Sequence, residues 1–175
     1  MLILAEKNGF GCALLEQGEF HVFKDVFLAC EEDRSVADQA LIDVIKGSEG
    51  QCLRVFFDDE DVDHFVLFKL NENNQPHYVG KSSVVYKGTV AEFEDLYVLS
   101  DFRKQGLSNL LYDAMLDHLR QQKCDFTQAH LHINDWNTPS LRAAAKNGFV
   151  VNTQEKHKGG FIPFVRDVSD EGPQI

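Results

Sequence analysis

The alternation of apolar and polar positions divides the chain into elements of very unequal legibility. In the first 34 residues, "MLILAE" and "FGCALLEQ" each read as a first strand. "EFHVFKDVFLACEED" places Phe20, Phe23, Phe27 and Leu28 at helical spacing, while "ALLEQGEFHVF" also fits a hairpin around Gln17-Gly18; the helix is the favoured reading. Ser35 predicts an N-cap for an amphipathic helix over "VADQALIDVIKG", stopped by Gly47. "CLRVFFDDEDVDHFVLFKLN" predicts two strands joined by an acidic turn, "NENNQP" a loop closed by Pro76, and "HYVGKSSVVYKG" and "TVAEFEDLYVL" two more strands. From Leu107 onward, Leu107, Leu110, Leu111, Ala114, His118 and Leu119 form one stripe of a long helix. "FTQAHLHIN" predicts a short strand. In "NTPSLRAAAKNGF", Thr138 as N-cap, Pro139 at the first helical position and Gly148 past the last turn bound another helix. "FVVNTQEK" and "FIPFVRDV" predict a closing hairpin, and "SDEGPQI" (169–175) a polar tail. This order of elements predicts a mixed α/β domain over residues 1–168.

Composition narrows the function classes. The 175 residues are 43% hydrophobic and 26% charged and include 14 phenylalanines, which predicts one globular domain with a bulky core. A formal net charge of −11 argues against a general nucleic-acid binder, which needs a basic face, and is compatible with a cationic substrate. No apolar run approaches the ~18 residues of a membrane span, and "MLILAEKNG" is too short and too acidic for a signal peptide. The expectation is a cytoplasmic protein without a membrane or nucleic-acid partner. Cys12, Cys30, Cys52 and Cys124 are scattered, without a C-x-x-C, and read as small buried hydrophobes.

The chemistry-bearing stretch is "DFRKQGLSN", residues 101–109, between a strand and the long helix. A helix that starts at a glycine directly after a strand exposes its first backbone N–H groups, and these donors and the helix dipole favour an anion. Gly106 lets a phosphate approach the backbone without a Cβ in the way, and Arg103 and Lys104 add charge at the rim. A plain surface turn is the competing reading. Neither G-x-x-x-x-G-K-[ST] nor G-x-G-x-x-G occurs.

"LYVLSDFRKQGLSNLLYDAML" resembles the signature of the GNAT N-acetyltransferases, whose acetyl-CoA loop reads R/Q-x-x-G-x-G/A before a helix. Arg103, Gly106 and Ser108 take those three places, with Ser in the last instead of Gly or Ala. "INDWNTPSLRAAAKNGF" is similar to the family's second segment, and the resemblance spans about residues 50 to 168, leaving 1–49 as a divergent N-terminal part. The wording is nearest to the spermidine/spermine (diamine) acetyltransferase branch. The resemblance implies a central, mostly antiparallel sheet with helices on both faces, and acetyl-CoA as co-substrate between two splayed strands. By resemblance, Leu96, Tyr97 and Val98 line the pantetheine arm. Lys104, Gln105, Gly106, Leu107, Ser108 and Asn109 hold the pyrophosphate with Arg103 beside them, and Asn137 and Ser140 contact the far side. It also implies a homodimer, the usual state in that branch.

The acceptor of such an enzyme is an amine: a polyamine, another small molecule, or a protein lysine or N-terminus. A primary amine has a pKa of ~10.4, so a proton acceptor aids its attack at neutral pH, and the thioester carbonyl calls for a hydrogen-bond donor. Alternation puts Glu92 and Glu94 on one strand face and Asp95 on the other. The resemblance makes Glu94 the candidate base, while a solvated strand face is the alternative. Ala144 stands where the family often has a tyrosine acid, which leaves either an enzyme with other means or an acetyl-CoA-binding regulatory module; the alanine run itself suggests room for a substrate. The chain also lacks the acidic residue that the diamine branch carries before "VYKG". No metal site is expected. Asp59, Asp61 and Asp63 have calcium-loop spacing, but His64 and Leu70 stand where Gly and Glu are required, and His130 and His132 share a strand face without a fourth ligand at zinc spacing.

Overall fold

In the computed structural model, which describes residues 1–47, 50–122, 126–156 and 159–168, eight strands form one sheet with helices on both faces. Strands β1 (Leu2–Lys7) and β2 (Phe10–Leu14) lead into helix α1 (Phe20–Glu32), α2 (Gln39–Lys46) and α3 (Gly50–Phe57). Then come β3 (Val62–Leu70), β4 (Pro76–Lys87), β5 (Val90–Val98), a single 3₁₀ turn at Ser100–Phe102, and α4 (Leu107–Gln121). The chain ends with β6 (Gln128–Asn134), α5 (Thr138–Lys146), β7 (Val150–Val151) and β8 (Phe161–Asp167). The sheet order is β1-β2-β3-β4-β5-β6-β8-β7, and every neighbouring pair is antiparallel except β5 and β6. The polar tail and Cys124 lie outside the described residues, and the strand expected over "FTQAHLHIN" begins at Gln128, two residues later than expected.

Two cores sandwich the sheet. On one face the stripe of α4 (Leu107, Leu110, Leu111, Met115, Leu119) packs with Phe65, Leu67, Phe93, Leu131 and Phe149. On the other, Val22, Phe23, Val26 and Cys30 of α1 and Phe57 of α3 meet Ala13, Val66 and Phe68. The central strand β3 buries both of its faces, which explains the unbroken run "FVLF". Cys12 and Cys30 are buried as expected. No helix among the described residues is long and apolar enough to cross a membrane.

Four details depart from the pattern reading. "MLILAE" and "FGCALLEQ" are both strands, joined at Asn8-Gly9, whose φ values of 54° and 79° suit the Asn-Gly preference of a two-residue hairpin; the chain from Phe20 is helical, and no hairpin forms at Gln17-Gly18. "CLRVFF" is not a strand: Leu53 and Phe57, one helical turn apart, reach the α1 core while Val55 points out, so burial selects the 3.6-residue period in a run that fits both. Asp38, not Ser35, caps α2 by accepting from the Leu41 N–H at 3.0 Å. Asn137, not Thr138, caps α5 by accepting from the Ser140 N–H at 3.4 Å.

Candidate functional site

The parallel strands β5 and β6 are paired only from Val90 to Glu92 against Gln128 to His130. Beyond this point, residues 93–98 of β5 remain bound to β4 alone. The parting coincides with a β-bulge: Ser83 faces Glu94, whereas Lys81 faces Tyr97, and Asp95 takes a φ of 54°. A bulge bends its strand and adds twist, which carries β5 away from β6 and opens a wedge between their C-terminal halves.

The bulge also overturns the alternation expected for the acidic residues. Glu94 and Asp95 lie on the same side, both lining a cavity of about 330 Å³ between the sheet and helices α1 and α3. Asp95 is neutralised there. The Lys81 ammonium, buried under the Phe27 ring, pairs with it, and Arg34 donates to it at 2.8 Å. Burial, and after it the charge of Arg34, pulls the Lys81 ammonium below its ordinary value. Glu94 is exposed and forms no ion pair among the described residues. Glu92, on the same face, is occupied: it accepts from Lys87 and from His132 Nδ1 at 2.8 Å, and His132 Nε2 meets Glu155 at 2.9 Å. Burial opposes the charged imidazole, but Glu155 and Glu92 together raise His132 above its ordinary value.

The remaining walls of that cavity are Phe23, Phe27, Leu53, Phe56, Val62, His64, Ser83 and Val85. The His64 ring packs against Phe23 (centroids 4.5 Å) and Phe57 (5.4 Å), with Nδ1 at 2.8 Å from the Ser83 hydroxyl. Burial depresses its pKa to about 4, so the ring is neutral at physiological pH.

The β5 strand continues through the 3₁₀ turn into the loop before α4. Lys104 and Gly106 both have positive φ (62° and 78°), and Gly106 is the N-cap of α4 without a side-chain capping bond. A Cβ on Gly106 would find only Asn109 Nδ2 within 4 Å, at 3.9 Å. The first turn thus presents free backbone donors in open space, an arrangement suited to an anion. Lys104 and Gln105 are exposed at this turn; Leu107 is buried in the α4 core and offers only its N–H, and Ser108 is half-buried.

Other expected residues are tied into the frame. Arg103 folds back from the rim: Nε donates to the Val98 carbonyl at 2.9 Å and Nη2 to the Tyr97 hydroxyl at 2.8 Å. Both side chains approach Asp33, the C-cap of α1, which also accepts from the Ser100 N–H at 2.8 Å and hydroxyl at 2.6 Å. Burial opposes ionisation of Asp33, but the bonds from Ser100 and Tyr97 and the charge of Arg103 hold its carboxyl below the usual range. Asp33, whose position gave no sequence signal, therefore anchors the loop. Leu96 and Val98 turn toward the α4 core and Tyr97 toward the α1 core, so all three border the wedge through their backbone. Asn109 accepts from Asn147 Nδ2 at 3.0 Å, which joins α4 to α5 across the wedge. Asn137 and Ser140 form the N-terminal cap of α5 on the far wall. Ala144 is fully buried in the α4-side core, so no room for a substrate exists at its side chain. Of the calcium-spaced acids, Asp63 is held by His118 (2.8 Å) and Tyr86, and Asp59 caps its own turn. No cluster fit for a metal is present among the described residues.

A splayed parallel pair, an uncapped helix N-terminus at the end of the first strand, and helices on both sheet faces define the architecture of an acyl-CoA-dependent N-acyltransferase. Residues 45–149 match the model of the acetyltransferase (GNAT) family, and the chain belongs to that family, whose members use acetyl-CoA as co-substrate. Solved structures with the same fold include several acetyltransferases. The spermidine N-acetyltransferase from Vibrio cholerae, solved with CoA and spermine, is 14% identical with a TM-score of 0.64, over 93% of this chain and 98% of that one. A ribosomal-protein-alanine N-acetyltransferase from Escherichia coli is 15% identical with a TM-score of 0.63, over 95% and 98%. The PaiA N-acetyltransferase from Thermoplasma acidophilum, solved with coenzyme A, is 16% identical with a TM-score of 0.61, over 89% and 98%. A search of curated proteins finds no significant match.

Proposed function

We propose that the chain transfers the acetyl group of acetyl-CoA to a primary amine by direct attack in a ternary complex, with Glu94 as the proton acceptor. The observation that carries this reading is the parting of β5 from β6 just after Glu92, two residues from the unpaired Glu94 carboxylate. The co-substrate supplies an activated acetyl thioester. The backbone of Leu96–Val98 would bind its arm, the donors from Lys104 to Asn109 its pyrophosphate, and Asn137 and Ser140 its opposite side. Glu94 would take the proton that the attacking nitrogen must lose. The new bond is N–C, the broken bond is C–S, and the departing thiolate, with an ordinary pKa near 8.5, takes a proton from solvent with little need of a dedicated acid. The absence of a tyrosine at Ala144 is compatible with that chemistry. Acetylation of amines by the structural neighbours supports the substrate class.

The test pairs a thermal melt in acetyl-CoA with the release of CoA thiol in the presence of an amine panel. Stabilisation together with amine-dependent thiol release is expected. Stabilisation without release from any amine would leave a cofactor-binding regulatory module in place of an enzyme.

A further inference from the structure

The cavity beside Glu94 bears on what the amine carries. We propose, on the basis of the transfer reading above, that the acceptor is a compact primary monoamine with an apolar, arylalkyl-like body. Its ammonium would lie at Glu94 and its body among Phe23, Phe27, Phe56 and the His64 ring. Three features of the lining lead to this class. The volume of about 330 Å³ is at the small end of the ~300–1,000 Å³ typical of ligand sites. The side chains beyond the acidic end are almost all apolar or aromatic. One carboxylate alone is open to a ligand, because Asp95 is already matched by Lys81 and Arg34.

The same features exclude the obvious competitors. A polyamine brings two or more ammonium groups, and the second would sit against phenyl rings without a counter-charge, at a high desolvation cost. A free α-amino acid brings a carboxylate, and the lining has no cation to meet it: His64 is neutral, and neither Lys81 nor Arg34 is free. A monoamine leaves neither charge unpaired.

The experiment measures CoA release and, separately, equilibrium binding by ligand-observed NMR in the presence of CoA, with phenethylamine, isoamylamine, spermidine, leucine and an Ala-initiated tetrapeptide. Phenethylamine and isoamylamine should exceed spermidine and leucine in kcat/KM by at least tenfold. Phe56, exposed on α3, allows a variant that need not disturb the core. Phe56→Ala should raise the KM for phenethylamine about tenfold and leave acetyl-CoA affinity unchanged. Val85→Asp, which adds a second acid to the wall, should improve putrescine relative to phenethylamine. Preference for spermidine, leucine or the tetrapeptide would overturn the monoamine inference while the acetyl-transfer reading stands. Phenethylamine binding that Phe56→Ala weakens, without thiol release from any amine, would sustain a monoamine as the ligand of this cavity and sink the transfer reading, and with it the acceptor role. Absence of phenethylamine binding would overturn the inference.

Discussion

Replacing Gly106 separates a phosphate cradle from a plain surface turn. Its φ of 78° lies in the left-handed region, so an L residue there costs about 1–2 kcal/mol, but a new Cβ meets only Asn109 Nδ2, at 3.9 Å. Both Gly106→Ala and Gly106→Glu should therefore fold, with melting temperatures roughly 2–8 °C lower, at about 2–4 °C per kcal/mol for a domain of this size. Acetyl-CoA at a hundred times its Kd stabilises a native protein by about 2.7 kcal/mol, or roughly 5–10 °C. The glutamate carboxylate would stand next to a bound phosphate. Two like charges about 4 Å apart at an effective dielectric of about 20 repel by about 4 kcal/mol, enough for a loss of affinity of a hundredfold or more. At the same acetyl-CoA concentration the stabilisation should shrink to about 0.4 kcal/mol, or about 1 °C, in Gly106→Glu, whereas Gly106→Ala should keep a good part of it. Differential scanning fluorimetry with and without acetyl-CoA is the assay. An undiminished ligand shift in Gly106→Glu would remove the α4 N-terminus from the site.

Glu94→Gln should lower kcat by about 10²-fold or more with little change in acetyl-CoA affinity, and wild-type activity should rise from pH 6 to 8 as free amine increases; full turnover by the variant across that range would return Glu94 to a solvated strand face. His64 has a folded pKa of about 4 against an ordinary 6.5, so its contribution to stability is complete above pH 6.5 and is lost as pH falls toward 4, by up to roughly 3 kcal/mol. His64→Phe should flatten the wild-type loss of stability in that window, as read from denaturant titrations at each pH, and an unchanged slope would refute the burial argument. Ala144→Tyr should destabilise the fold by ~1–3 kcal/mol through overpacking and should not speed turnover, because the Cβ it extends is enclosed; a faster, equally stable variant would show that a missing acid limits the wild type. Trp136, the single tryptophan, stands exposed next to Asn137, and its fluorescence should change saturably with acetyl-CoA at 1:1 stoichiometry, an unaltered signal placing the cofactor away from α5.

The legible parts of the sequence were those in which one period and one set of end signals agreed. The stripe of α4, the Pro139 and Gly148 signals that bound α5 and the glycine at position 106 gave the wedge its two walls and its helix terminus. The β1–β2 hairpin had a clear Asn8-Gly9 signal that the apolar run around it obscured. The α3 helix was not legible, since "CLRVFF" satisfies both periods and only contact with α1 decides between them. The bulge at Asp95 was equally hidden: alternation has no means of inserting a residue, and the bulge is held by Lys81 and Arg34, which are 14 and 61 residues away in the chain. The roles of Asp33 and of the His64 wall depend on the same kind of long-range packing. The loop proposed for the cofactor lies in one segment of the sequence, whereas the cavity proposed for the acceptor is assembled from α1, α3 and three strands.

The most direct test of the account follows the acetyl carbon itself. With [1-¹³C]acetyl-CoA and phenethylamine, the account predicts that the thioester carbonyl resonance is replaced by an amide resonance in step with the appearance of free CoA thiol. The replacement should be slowed in Glu94→Gln at any acetyl-CoA concentration, and in Gly106→Glu at acetyl-CoA concentrations that saturate only the wild type. A thioester signal that persists while the protein is saturated with both ligands would contradict it.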